Sequence, residues 1–221
     1  SGTSALTRVI SLLGGALPKT LVPKSENDNA LGFWESRRLV ELNKDMDASA
    51  GTSWNDWTRQ KGAWMTSPVK ATFLEQAQQA LTEEFGDAPF FVLKDPRICR
   101  MLPFWREALE TFGAKVVVVS PLRHPFEVAA SMEKRNKMLP VEGHLSWLRH
   151  VLEAEYASRD LPRVFTRYDE LLGNWQSTLT RVGQELDLAW PNWTPDAEAK
   201  IDDFLSPDER HHAIPDARLQ D

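Results

Sequence analysis

The run Lys115-Val-Val-Val-Val119 constrains this chain more than any other stretch. Consecutive β-branched residues with no polar alternation read as a strand that must be covered on both faces. Pro89-Phe-Phe-Val-Leu93 is a second short apolar run bounded by turn residues, and Arg163-Val-Phe-Thr166 is a weaker third. Helical patterns are expected at about 97–112, 125–138, 144–159 and 169–187. Strands alternating with helices predict an α/β fold, a three-layer sandwich with a central parallel sheet. In such sheets ligands gather at the carboxyl ends of the strands.

Upstream, Leu6, Val9, Ile10 and Leu13 recur at helical spacing until Gly14-Gly15 stops them. Residues 16–34 read as loop, with a helix at about 35–47 after it. The Trp- and Gly-containing stretch 48–66 reads as irregular, and Ser67-Pro68 as the start of a helix running to about Phe85. No linker, charge block or repeat divides the 221 residues, so one domain over 1–221 is expected. No apolar run approaches the roughly 20 residues of a membrane span.

A formal net charge of −6 argues against general nucleic-acid binding, so an anionic ligand would need a local cluster of cations. Cys99 is the single cysteine, which rules out an internal disulfide and a cysteine-based zinc site. A reducing, cytoplasmic setting is the matching expectation.

Three motifs fall at strand ends or helix starts. Ser1-Gly2-Thr3-Ser4 precedes the first helix, where exposed N–H groups and the helix dipole suit phosphate or sulfate; an ordinary N-cap is the plainer reading. The tetrapeptide lacks the Gly-Lys-Ser/Thr ending of a triphosphatase loop. Lys94-Asp95-Pro96-Arg97 follows the Pro89–Leu93 run and supplies positive charge, although Asp95 and Pro96 also suit a helix start. Arg123-His124-Pro125 follows the valine strand, with Ser131 eight residues after Arg123. An arginine fork and a hydroxyl there could grip a phosphate, or be a solvated loop residue and a packing residue.

Taken in order, Ser-Gly-Thr-Ser-Ala-Leu, Lys-Asp-Pro-Arg, Arg-His-Pro-Phe-Glu-Val-Ala-Ala-Ser and Arg-Tyr-Asp-Glu-Leu-Leu resemble the sulfotransferases that use PAPS (3′-phosphoadenylyl sulfate), most closely the bacterial sulfotransferase-like group. The resemblance implies a P-loop NTPase-like fold and a donor that leaves as adenosine 3′,5′-bisphosphate. It places Ser1, Gly2, Thr3 and Ser4 around the 5′-phosphosulfate, Arg123 and Ser131 on the 3′-phosphate, Tyr168 near the nucleoside, and Lys94 on the leaving phosphate. The family carries a core strand and a basic residue ahead of the serine–glycine–threonine loop. Neither is in this sequence, so the expectation is a domain missing its first strand and incomplete at its N-terminus.

The resemblance also frames the search for a base. Cytosolic members carry a histidine where this chain has Pro96, while other members use a glutamate after the first helix, a pattern that Glu35 fits. Phe33 and Trp34 would desolvate Glu35 and raise its pKa. Asp95 is the second candidate, and His124 is expected to order its loop. His211-His212 do not project together on a helix, so no metal site is expected; Arg210 could touch donor or acceptor. Segments 52–66 (with Trp54, Trp57 and Trp64) and 138–147 are expected to shape an acceptor site, for a hydroxyl on a carbohydrate or other small molecule. The competing readings are an ATP-dependent P-loop kinase, which would need magnesium, and a non-catalytic sulfotransferase-like binding domain.

Overall fold

A computed structural model describes residues 2–24, 31–58 and 62–205. Ser1, Arg210, His211 and His212 lie outside the described residues. The helices are α1 (Thr3–Leu12), α2 (Arg37–Ser49), α3 (Val69–Phe85), α4 (Leu102–Thr111), α5 (Pro125–Asn136), α6 (Pro140–Ala157), α7 (Tyr168–Gly173), α8 (Trp175–Leu186) and α9 (Pro195–Phe204). Two strands, β1 (Val118–Leu122) and β2 (Arg163–Arg167), complete a mixed α/β fold.

β1 and β2 pair in parallel, Val118 opposite Arg163 and Leu122 opposite Arg167, with α5 and α6 forming the crossover. The strand begins at Val118, two residues into the valine run, where Val118 N donates to Pro162 O (2.9 Å). Val164 is buried against Val182 and Leu186 of α8.

The expected strand at Pro89–Leu93 is extended but is not a ladder strand. It makes one parallel bridge, Phe91 to Ala16. Ala16 N donates to Phe90 O (2.9 Å) and Val92 N to Ala16 O (3.0 Å). Pro18, two residues on, has no N–H with which to continue the pairing. The segment still alternates as a strand should: Phe91 and Leu93 pack on one core cluster, Phe90 and Val92 on another. The described sheet therefore has two strands.

The first cluster joins α2, α3 and α4 around Met46, Leu81, Phe104 and Trp105; the second joins α1, α7, α8 and α9 around Val9, Leu13, Leu179 and Ile201. Local chemistry sets several boundaries. Ser36 Oγ accepts from Leu39 N (3.1 Å) and starts α2. Asn174, off helical geometry at φ −157° and ψ 83°, accepts from Ser177 N and splits the expected 169–187 helix into α7 and α8. The expected 97–112 helix opens as a 3₁₀ turn, Ile98–Arg100, before Pro103 enters the first turn of α4. α6 lies close on α5: a Cβ at Gly143 would stand 3.0 Å from Ala129 Cα. No helix among the described residues is long and apolar enough to cross a membrane.

Candidate functional site

A cleft of about 1650 Å³ runs past the N-terminus of α1, the extended 89–94 segment and the carboxyl end of β1. Its walls carry Lys94, Arg97, Arg123, Lys134 and Arg135, a local cluster of cations in an acidic chain. Gly2, Thr3, Ser4, Glu35, Ser131 and Tyr168 line the same cleft.

The tightest constellation joins residues far apart in sequence. Lys94 Nζ donates to Ser4 Oγ (3.1 Å) and to Phe33 O (3.1 Å), and forms an ion pair with Glu35. Both charged side chains are nearly sealed, at 7% and 10% exposure. The turn that delivers Glu35 is fixed by backbone geometry. Gly32 and Trp34 both have positive φ (108° and 59°), unusual for tryptophan, and Val22 N donates to Glu35 O (2.8 Å). Burial raises the Glu35 pKa, with Lys94 pulling it down and Asp95 up; burial also lowers that of Lys94, against the opposing pull of Glu35. In both groups burial outweighs the attraction of the partner.

Asp95 has a different role from its neighbour. Its carboxylate accepts from Arg97 N, Nε and Nη2 and from Asn43 Nδ2 (2.8 Å). Asn43 Oδ1 in turn accepts from the buried Trp105 Nε1 (2.9 Å). Both Asp95 oxygens are thus engaged in holding the Lys94–Arg97 turn to the core, whereas the Glu35 carboxylate meets Lys94 through Oε1.

A second group meets where β1 and β2 end. Arg123, just after β1, lies over the ring of Tyr168, just after β2, at 4.8 Å from the centroid. Arg123 Nε pairs with Glu127 Oε2 (2.7 Å), and Trp147 Nε1 donates to Arg123 O (3.1 Å). The Tyr168 ring covers Gly2, where φ is 80° and a Cβ would come within 2.5 Å of Cδ2. Only glycine accommodates both that backbone and that ring. Gly2→Ala should therefore cost about 1–3 kcal/mol, read as a lower urea midpoint. Tyr168→Ala in the same chain should restore the steric part and leave the backbone part. An unchanged midpoint in Gly2→Ala would show that the ring is not seated there.

Sequence reasoning missed two cleft residues, Arg135 and His150, and the Arg8–Trp34 contact. Arg135 lies one turn beyond Ser131 on α5 and its charge is felt at Lys94; the i, i+4 spacing from Ser131 was the available signal. Outside the cleft, Arg8 stacks on Trp34, 4.6 Å from the ring centroid, beside the turn that delivers Glu35. His150 lines the cleft with Nδ1 2.7 Å from Ser146 O, and burial lowers its pKa, which favours the neutral ring. Cys99 also lines it, but burial pushes its thiol up to about 12, too high for a thiolate nucleophile.

The aromatic loop divides. Trp54 lines the cleft, Trp57 is half exposed, and Trp64 is buried in the core beside Phe73 and Phe104. Of segment 138–147, Trp147 reaches the cleft while Leu139, Val141 and Leu145 are exposed. His124 stacks on Phe126, and neither ring nitrogen has a hydrogen-bond partner, so no hydrogen bond from its ring supports the expected loop-ordering role. Among the described residues no group of three or more His, Cys, Asp or Glu could hold a metal ion. The chain matches no family model, no curated protein and no solved structure.

Proposed function

We propose that this chain transfers a sulfuryl group from 3′-phosphoadenylyl sulfate to an acceptor hydroxyl. The observation that carries the reading is the meeting of Ser4, Glu35 and Lys94 at the N-terminus of α1, in one cleft with Arg123, Ser131 and Tyr168. When bound, that donor supplies the sulfuryl group and departs as adenosine 3′,5′-bisphosphate. Gly2, Thr3 and Ser4 would hold its phosphosulfate end with backbone N–H and hydroxyl donors. Arg123 and Ser131 would hold the 3′-phosphate, and Tyr168 the nucleoside. Lys94 places a cation beside Ser4, where charge on a leaving phosphate is stabilised. Glu35, its pKa raised by burial, takes the proton of the attacking hydroxyl. The acceptor we propose is a carbohydrate or similar small molecule, with Trp54 and Trp147 offering ring faces along the cleft.

The finer architecture we propose is the three-layer P-loop NTPase-like sandwich. Phe90 and Val92 line the cleft, as do Val117 and Val119. A further strand in that space would join both into one parallel sheet and cover their apolar faces.

The test is a calorimetric titration with adenosine 3′,5′-bisphosphate and with ADP, repeated on Arg123→Ala. The bisphosphate should bind in clear preference, and the substitution should weaken it by about 30-fold or more, the loss of a charge-assisted grip worth at least ~2 kcal/mol. Equal binding of both nucleotides would favour the ATP-dependent kinase, and binding of neither would remove the donor assignment.

A further inference from the structure

α6 turns an apolar stripe outward as well as inward. Its inward side carries Gly143, Ser146, Trp147, His150 and Val151, while Val141, Leu145, Leu148, Leu152 and Tyr156 are 61%, 38%, 45%, 52% and 58% exposed. At 3.6 residues per turn these five fall within an arc of roughly 80°. Arg159 lies over the Tyr156 ring, 5.4 Å from its centroid, and the other four leave on the order of 300–400 Å² of apolar surface uncovered, in the size range of patches that mark interaction sites.

We propose that this stripe pairs with the same stripe of a second copy, the two α6 helices running antiparallel. The spacing argues for that occupant. Val141, Leu145, Leu148 and Leu152 are separated by four, three and four residues, a sequence of gaps that reads the same in either direction. Alternating steps of three and four form the seam of a coiled coil. Reversal of one helix sets Leu145 against Leu148 and Val141 against Leu152, and symmetry repeats both layers, as an isologous contact requires. In that register Glu142 of one copy faces Arg149 of the other, again twice, so the flank brings opposite charges together even though Arg149 also pairs with Glu153 of its own helix (2.8 Å). Arg149 Nε also donates to Trp57 O (3.1 Å), which ties the half-exposed Trp57 to the same helix. The stripe is smaller than the ~800 Å² per partner of a standard interface, so the dimer forms in a concentration-dependent way.

Sedimentation equilibrium of the whole chain up to about 100 μM reads the outcome directly. The parent chain should approach the dimer mass, and Leu148→Glu, at an exposed position, should remain monomeric with unchanged helical circular dichroism. A parent chain monomeric throughout overturns the proposal. Orientation is read independently in a Cys99→Ser background. Leu145→Cys mixed with Leu148→Cys should form disulfide-linked dimers faster than either variant alone. If each variant alone cross-links as fast as the mixture, the antiparallel register is wrong.

Discussion

Lys94→Met will lower folding stability by about 3–5 kcal/mol, because it leaves the Glu35 carboxylate buried without its partner. Denaturation in urea will show this as a lower midpoint with an unchanged slope. The double variant Glu35→Gln/Lys94→Met should return to within ~1 kcal/mol of the parent, since the cost lies in the stranded charge and not in the lost pair. The deficit of the single variant will also depend on pH. Burial and Asp95 raise the Glu35 pKa, and the substitution removes Lys94, which lowers it. A carboxyl with a raised folded-state pKa contributes stability that is present below its unfolded value and lost as pH rises through the folded value. Acidification should therefore shrink the deficit. A single variant as stable as its parent at neutral pH would mean that Glu35 reaches water. In the parent, burial outweighs attraction at both groups, so the pair is a poor source of stability and is better understood as a fixed piece of the site.

Trp105→Ala should cost a further ~3–5 kcal/mol by opening a cavity in the cluster of α2, α3 and α4. Trp105 is fully buried and meets Phe104 edge-on at 5.5 Å. Trp105→Phe keeps most of the volume but leaves Asn43 Oδ1 without its donor, for about 1–3 kcal/mol. That oxygen belongs to the chain of bonds that runs from Trp105 through Asn43 and Asp95 to Arg97. Amide exchange at Arg97, whose N–H donates to Asp95, should therefore quicken in Trp105→Phe. If exchange there is unchanged, the core does not anchor the Lys94–Arg97 turn.

Much of this was legible from residue order. Periodicity located α1, and Ser67-Pro68 located the start of α3 within two residues. The valine run announced the strand, and Arg163–Thr166 its partner. What periodicity could not register was pairing. The Pro89–Leu93 segment has the composition and alternation of a strand, but the neighbour that would make it one is reduced to Ala16. Nor did apolar spacing reveal the break at Asn174, which depends on a side chain satisfying the N–H of Ser177. α9 went unread, though Thr194 and Pro195 form an N-cap and first turn. Within the site, Lys94 and Glu35 were each nameable from their motifs. Their contact was not, since it rests on the left-handed backbone at Trp34. The exposed stripe of α6 escaped for the converse reason: apolar spacing marks an amphipathic helix without saying which way it faces.

The hydrogen at the α-carbon of Gly143 acts as a spacer gauge. Because a methyl group there would meet Ala129 Cα at 3.0 Å, the separation of α5 and α6 is set by the smallest side chain available. One turn along α6 stands Trp147, whose indole nitrogen holds the carbonyl of Arg123. The width of a helix–helix seam and the placement of a cleft-lining guanidinium are therefore one dimension of the molecule. A single added carbon at position 143 would be felt as a change in aim at Arg123.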